Sequence, residues 1–176
     1  VIGAGAWGTA VAQAVKTGCK VEDIDIEALR QTLMLEDCYI PWHDREQTDL
    51  TKKAKCNYDI VRNGKDRGDE NCWKGAKGDF VEYSFEDAEN VDRIRLIFDS
   101  NLNRNYRNMP CSFPIVQKDC VLPDTLISEY RIDITDEAGN VDSIIVKNNH
   151  QRLVWHDIGK KVKSIKLIPQ ATNGCK

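Results

Sequence analysis

Several features that define specialised classes of protein are absent from the sequence. No apolar run approaches the ~18 residues that a membrane-spanning helix needs, and no block of one charge is longer than a few residues. The 25 Lys and Arg residues against 28 Asp and Glu residues give a net charge of -3, which argues against a nucleic-acid or anionic-membrane partner. Five prolines and 11 glycines are too few for a linker or a fibrous chain. Residues 1–15 are apolar but lack the basic start of a signal peptide.

What is present indicates an ordinary globular chain. Hydrophobic residues make up 41% of the 176 positions, which is enough for a packed core. This length predicts one domain, or one domain with an appendage. A soluble protein without a membrane span is therefore expected.

The cysteines and histidines define no metal or redox site. There is no CxxC pair, and the seven cysteines stand at positions 19, 38, 56, 72, 111, 120 and 175. Because the number is odd, at least one thiol is free or paired with another chain. Most are expected to be reduced, with a disulfide in the later region as the alternative. We expect His43 to be solvated and His156 to lie at an edge or in a loop, with a place in a sugar site as the alternative for His156.

The first forty residues have the periodicity of helices. Apolar spacing over residues 10–15 predicts a helix that ends at Gly18, a typical C-cap residue. A second helix is predicted over residues 26–35, with Asp25 as its N-cap and Pro41 beyond its end. The start of the chain is therefore expected to be a small helical segment.

After a polar, charged connector at residues 42–55, the apolar period changes from helical to alternating. Residues 136–140, DEAGN, have the composition of a hairpin turn, and on a neighbouring strand Arg93 and Arg95 are expected to form a solvated face. Six short strands and no intervening helical pattern predict an antiparallel β-sandwich of jelly-roll type. The predicted strands are residues 80–85, 91–99, 129–134, 141–147, 152–156 and 162–168.

A glycine motif opens the chain. Residues 3–8, GAGAWG, match the G-x-G-x-x-G pattern, in which glycines let the backbone approach a pyrophosphate at a helix start. The string VIGAGAWGTAVA resembles the opening of glycerol-3-phosphate dehydrogenases, which bind a nicotinamide cofactor. A Rossmann domain needs several more βα units, however, and here the pattern turns to alternation. A truncated NAD-dependent dehydrogenase therefore remains an alternative.

A longer stretch resembles a different group of enzymes. GTA, VAQAVKTGC and VEDIDIEALRQTLMLEDCYIP resemble the C-terminal end of the FAD-binding domain in bacterial FAD-dependent oxidoreductases related to fumarate reductase flavoproteins. The resemblance implies that Gly5, Gly8, Thr9 and Ala10 face the flavin edge or the diphosphate of FAD, near a helix N-terminus. It also implies that residues 1–41 are a remnant of that domain, and that the catalytic residues lie in a longer parent enzyme. We therefore expect this chain alone to be inactive and too open to hold FAD.

The later part of the chain resembles the discoidin-like, galactose-binding-like β-sandwich that follows the flavin domain in members of that group. The strings that carry this resemblance are NCW, VEYSF, VDRIRLIFDSNL, RNMP, YRI and ATNG. The resemblance implies a connector at residues 42–55 and a sandwich over residues 56–176, which docks on the rest of the parent flavoenzyme or binds glycan. It favours an extracytoplasmic location, periplasmic or secreted. A free-standing carbohydrate-binding module is the main alternative.

Two further groups of side chains are candidates for binding sugar. Trp73 and Trp155 fit either the core or sugar stacking, and we expect Trp73 in the core. The segment DSNLNRNYRNM is rich in Asn and Arg, which hydrogen-bond hydroxyls and carboxylates; a well-bonded connection is the alternative. Its candidate ligand-binding residues are Asn103, Arg104, Tyr106 and Arg107.

Overall fold

The computed structural model describes residues 4–46, 48–100 and 122–174. It contains two α-helices, α1 (Ala4–Thr17) and α2 (Ile26–Leu35), joined by a 3-10 turn at Val21–Asp23. Three more 3-10 turns lie at Leu50–Lys52, Asp59–Arg62 and Asp69–Asn71. The strands are β1 (Lys55–Cys56), β2 (Val81–Ile97), β3 (Ile127–Thr135), β4 (Val141–Val146) and β5 (Leu153–Thr172). Neither described helix is long and apolar enough to cross a membrane.

Both predicted helices form, and their predicted caps are confirmed. The Asp25 carboxylate accepts hydrogen bonds from the backbone N–H groups of Glu27 and Ala28, at 2.9 and 3.1 Å, which satisfies two donors that the first turn leaves free. Gly18 has a φ of +70°, the left-handed conformation that ends many helices. The amide after it donates to the Ala14 carbonyl at 3.1 Å.

One side of α1 faces α2 and the other side is open. Ala10 and Ala14 are buried, and the Gln13 amide donates to the Thr32 hydroxyl of α2 at 3.0 Å. Small residues on this side allow the two helices to approach closely. The exposed side carries three large apolar side chains, spaced four residues apart, which are Trp7, Val11 and Val15.

The strands form one antiparallel sheet of five strands in the order β1-β2-β5-β3-β4. The predicted mainly β, antiparallel class after a helical segment is confirmed. The predicted strands 80–85 and 91–99 form one long strand, β2. The predicted strands 152–156 and 162–168 likewise form one long strand, β5. The register in which β2 pairs with β5 shifts between Ser84 and Glu89 and again between Val91 and Arg93. These bulges accommodate the polar residues that separate the two predicted strands. A Rossmann domain needs parallel strands, and every strand pair among the described residues is antiparallel, so the dehydrogenase alternative is wrong in fold.

The long strands let the sheet fold over itself into two layers. Tyr130 of β3 pairs with Pro169, near the end of β5. Its ring nevertheless contacts Phe98, just after β2, at 5.0 Å between centroids, and its hydroxyl lies 2.9 Å from Nε2 of His156, near the start of β5. The β2–β5 ribbon therefore arches over β3, as in a sandwich. The core between the layers contains Ala54, Phe85, Val91, Phe98, Leu126, Tyr130, Ile132, Ile134 and Val162.

Alternation along β3 and the hairpin after it are as predicted. Tyr130, Ile132 and Ile134 are buried, and the residues between them are partly exposed. In the turn, the Asp136 amide donates to the Asn140 carbonyl at 2.9 Å. Trp73 is different, because it lies half-buried outside the core with its ring 5.5 Å from that of Tyr58. The expectation of a core Trp73 is therefore wrong.

Candidate functional site

A cleft of about 200 Å³ opens between the segment that follows α2 and the loop at residues 64–67. Its lining combines aromatic rings with charged groups. The lining residues that matter below are Tyr39, Trp42, His43, Arg45, Lys65 and Arg67.

Hydrogen bonds to α2 and between the two walls hold the cleft in shape. The Gln31 side chain of α2 accepts from the Glu46 amide at 2.8 Å and donates to the Asp44 carbonyl at 3.4 Å. The Arg45 amide donates to the Gly64 carbonyl at 3.3 Å. The first wall is therefore tied both to the helix behind it and to the opposite wall.

Two aspartates, Asp37 and Asp66, form the floor of the cleft, and three arginines hold them. Asp37 accepts from Nε of Arg152 at 2.8 Å and from a terminal nitrogen of Arg67 at 3.2 Å. Asp66 accepts from Arg95 at 2.8 Å. The Asp37, Asp66, Arg95 and Arg152 side chains are all largely buried. Each carboxylate is thus held by guanidinium groups, which fix the floor through charge-assisted hydrogen bonds.

Arg95 also caps the C-terminus of α2 from the sheet. It donates to the Leu35 carbonyl at 2.8 Å and to the Met34 carbonyl at 3.2 Å. These carbonyls belong to the last turn of the helix, where no intrahelical donor remains and the dipole attracts a cation. The expectation of a solvated face is therefore wrong for Arg95, whose side chain is 12% exposed. Arg93 is exposed, as expected, and its guanidinium lies over the Trp155 ring, 4.8 Å from the centroid.

Two aromatic side chains stand open at the cleft. Trp42 is 99% exposed and Tyr39 is 67% exposed, and the Arg67 guanidinium lies 5.8 Å from the centroid of the Tyr39 ring. Trp42 has a φ of +62° and Asp37 a φ of +63°. A bulky side chain rarely adopts this left-handed conformation, and such strain concentrates at functional sites.

The predicted FAD-contacting residues lie in α1, away from the cleft. Gly8, Thr9 and Ala10 are inside the helix, so their amides belong to its hydrogen-bond ladder, and the Thr9 hydroxyl donates to the Gly5 carbonyl at 3.0 Å. The space beside Gly5 and Gly8 is open, but three of the four positions offer no free backbone donor to a diphosphate. FAD binding stays a prediction. The candidates of the Asn- and Arg-rich segment lie outside the described residues, namely Asn103, Arg104, Tyr106 and Arg107.

The histidines occupy contrasting places. His156 lies between the two layers of the sheet, within hydrogen-bond distance of Tyr130, and not at an edge or in a loop as expected. Burial lowers the pKa of His156, against a smaller opposing effect of Asp157, and burial raises the pKa of Tyr130 to about 12. His43 lies at the cleft, where its Nδ1 donates to the Pro41 carbonyl at 2.9 Å.

The part of the chain that the structure describes shows no group of His, Cys, Asp and Glu side chains suited to a metal ion. Its four cysteines, Cys19, Cys38, Cys56 and Cys72, are free. Burial raises the pKa of the Cys72 thiol, which makes it a poor nucleophile. The predicted disulfide alternative concerns cysteines outside the described residues.

Sequence reasoning missed the cleft. Tyr39 was part of the flavin-domain resemblance, and Trp42 opened a stretch interpreted as a polar connector. The available signal was the pair of aromatic residues on either side of Pro41, at the edge of a charged segment. The opposite wall, with Lys65, comes from more than twenty residues further along the chain, and no local pattern links the two.

No protein-family model and no curated protein matches this chain. Among solved structures, the fold is similar to that of the family 32 carbohydrate-binding module from Streptococcus pneumoniae EndoD. The TM-score is 0.48 and the identity 9%, over 69% of this chain and 83% of that chain. A similarity of this degree assigns no ligand. None of the comparisons supports the resemblance to FAD-dependent oxidoreductases.

Proposed function

We propose that this chain is a carbohydrate-binding module and that the cleft between α2 and residues 64–67 holds the sugar. The observation that carries the proposal is Trp42, whose indole is 99% exposed beside a cleft that Tyr39 also lines. A large apolar ring left open to water needs an explanation when it stands beside a second one, because such patches mark binding surfaces.

The chemistry of the lining suits a sugar. A pyranose ring has apolar C–H faces that pack on flat aromatic side chains, and hydroxyls around its rim that both donate and accept hydrogen bonds. Trp42 and Tyr39 supply the aromatic faces, and His43 and Lys65 supply hydrogen-bonding groups beside them. A volume of about 200 Å³ accommodates one sugar ring.

The backbone of Trp42 supports the same interpretation. Its φ of +62° is unfavourable for a bulky residue, and no contact of the indole with the described residues compensates for it. This backbone conformation is explained if it presents the indole to a ligand.

The test is substitution of the exposed tryptophan. Stacking removes about half of the ring surface from water, about 80 Å², which at about 25 cal/mol per Å² is worth about 2 kcal/mol. We therefore expect Trp42→Ala to weaken binding of the sugar identified on a glycan array by about 30-fold, measured by isothermal titration calorimetry. Trp42→Phe should retain part of the affinity.

The matched control is Trp7→Ala, because Trp7 is also well exposed but lies on α1 and does not line the cleft. It should bind sugar as the unchanged protein does. Absence of binding to every glycan, or equal affinities for the two alanine variants, would contradict the proposal.

We also propose that the module belongs to a longer FAD-dependent oxidoreductase, as the strings in residues 5–41 imply, and that the parent lies outside the cytoplasm. The apolar side of α1, formed by Trp7, Val11 and Val15, supports this, because it is exposed and suits packing against more protein. The test is the intact mass and absorbance spectrum of the natural gene product. A much longer chain with flavin bands is expected; a product of this size without flavin would leave a free-standing module.

A further inference from the structure

We infer that the sugar held by the cleft is an acidic one, whose carboxylate lies at Lys65 within the field of Arg45 and Arg67. This inference rests on the proposed carbohydrate-binding function and adds the class of ligand to it. It follows from which hydrogen-bonding and charged groups of the cleft are already used within the protein and which are not.

The acceptors on the floor of the cleft are already occupied. Asp37 is held by both Arg67 and Arg152, and Asp66 by Arg95, with Arg45 at 3.8 Å. A carboxylate held by two guanidinium groups has little capacity left for the hydroxyls of a neutral sugar. The floor therefore does not provide the acceptors that neutral sugars use.

One buried donor, by contrast, is left over. Nε of Arg45 makes no hydrogen bond with the described residues and lies 3.8 Å from the Asp66 carboxylate. Nη1 of the same guanidinium group donates to Asp49 at 3.3 Å. A buried donor without an acceptor is unfavourable. An anion bound in the cleft reduces this penalty, because its negative charge attracts the guanidinium group of Arg45 through protein of low dielectric constant.

Lys65 is the accessible cation of the lining. Its side chain is 51% exposed, and among the described residues it meets a single carboxylate, that of Asp44, at 3.9 Å. This distance is too long for a hydrogen bond. The ammonium group can therefore donate to a ligand oxygen without breaking a bond within the protein.

Three cations and three carboxylates line the cleft, and the ion pairs they form extend to partners behind the lining. This connected set of ion pairs has one more cation than carboxylate. Its cations are Arg45, Lys65, Arg67, Arg95 and Arg152, and its carboxylates are Asp37, Asp44, Asp49 and Asp66. One ligand carboxylate balances this set. A carboxylate also presents two coplanar oxygens, the arrangement that a guanidinium such as that of Arg67 recognises.

The experiment compares acidic sugars with their neutral derivatives by isothermal titration calorimetry on the full chain. The probes are the tetrasaccharides of galacturonate, mannuronate and hyaluronan, each beside its methyl ester, together with neutral galacto- and gluco-tetrasaccharides. We expect at least one free acid to bind about tenfold or more tightly than its ester, and its affinity to fall as salt rises from about 50 to about 300 mM.

Two substitutions with opposite effects separate charge recognition from structural damage. Lys65→Gln should weaken binding of the acidic sugar by about tenfold. Asp44→Asn should strengthen it, because it removes the most exposed carboxylate of the cleft. The matched control is Lys74→Gln, since Lys74 is 68% exposed and pairs with Asp69 at 3.5 Å, away from the cleft; it should leave the affinity unchanged.

The outcomes distinguish this inference from the function on which it rests. If neutral sugars or the esters bind as well as the acids, or if Asp44→Asn weakens binding, the acidic ligand is wrong while the carbohydrate-binding function stands. A sulfated carrageenan tetrasaccharide that binds when no uronate does would also overturn the carboxylate assignment. If none of the sugars binds, both proposals fail.

Discussion

Asp37 should be among the residues whose loss most destabilises this protein. It follows the end of α2, its side chain is 15% exposed, and it is held by Arg152 at 2.8 Å and Arg67 at 3.2 Å. Arg152 immediately precedes β5, so the carboxylate joins the helical segment to the start of that strand. Its φ of +63° adds a second requirement, since Asp and Asn adopt this conformation more readily than most residues.

The magnitude follows from the contacts that each substitution removes. A hydrogen bond between charged groups contributes about 1.5 kcal/mol net, so the loss of both contacts in Asp37→Ala costs about 3 kcal/mol. Alanine in the left-handed conformation costs about 1 kcal/mol more. Asp37→Asn keeps one oxygen acceptor and the backbone preference, and should therefore cost about 2 kcal/mol. Leaving the largely buried guanidinium of Arg152 without this carboxylate works in the same direction.

Urea denaturation followed by circular dichroism measures these differences as shifts in the midpoint at a constant slope. We expect Asp37→Ala to lower the free energy of unfolding by about 4 kcal/mol, which corresponds to a fall in Tm of roughly 10 °C for a domain of this size. The control is Glu22→Gln, because the exposed pair Lys20–Glu22, at 3.3 Å, should contribute less than about 0.5 kcal/mol. If Asp37→Ala were as mild as this control, the arginine contacts would not join the two parts.

Two smaller predictions concern the helix cap and the partly buried histidine, His156. Asp25→Ala removes the side-chain acceptor for Glu27 and Ala28 and should lower the free energy of unfolding by about 1 kcal/mol, whereas Asp25→Asn should change it little. Because burial lowers the pKa of His156 in the folded chain, the unfolded chain takes up its proton first as the pH falls. The stability that neutral His156 contributes should therefore be complete above its unfolded pKa of about 6.5 and be lost as the pH falls through its folded pKa. Urea titrations from about pH 7.5 to about pH 5 should show this loss, and His156→Gln should reduce it; an equal loss in that variant would assign the effect to other groups.

The features that were correctly predicted from the sequence are local. The Asp25 cap depends on residues two and three positions away, and the left-handed Gly18 depends on its own lack of a side chain. The buried face of β3 follows from strict alternation, because neighbouring side chains point to opposite sides of a strand. Each of these signals is contained within a few residues.

The errors arise where long-range pairing overrides local composition. The polar residues EDAEN separate two of the predicted strands, yet β2 continues through them because β5 pairs with it on both sides of the bulge. Arg95 stands on the polar side of its strand and looks solvated. Its partners, Asp66 and the end of α2, are 29 to 61 positions away in the sequence, so its burial cannot be deduced from its neighbours.

The cleft was missed for the same reason. One wall lies in what was interpreted as a connector, and the other lies in a loop that has no apolar pattern. The walls meet because the Arg45 amide bonds to the Gly64 carbonyl and because Arg67 bonds to Asp37. A binding site formed by two irregular segments leaves no periodic signal in the sequence, although the open aromatic side chains are evident once the chain is folded.

The same contacts lead to a prediction about the domain boundary at residues 41 and 42. A chain that begins at residue 42 loses the Met34 and Leu35 carbonyls that Arg95 binds, as well as the Asp37 carboxylate that Arg152 binds. Arg95 and Arg152 would then lack these acceptors, at a cost of roughly 4 kcal/mol.

A chain that begins at residue 25 keeps α2 and all of these contacts, and it loses only α1 and the turn before α2. We therefore expect urea denaturation to give the chain of residues 25–176 a stability near that of the full chain, and the chain of residues 42–176 a much lower one. Equal stabilities for the two shortened chains would place the boundary at residue 41, as the sequence predicts. The expected difference would instead place α2 within the β domain and leave α1, with its exposed apolar side, as the separate element.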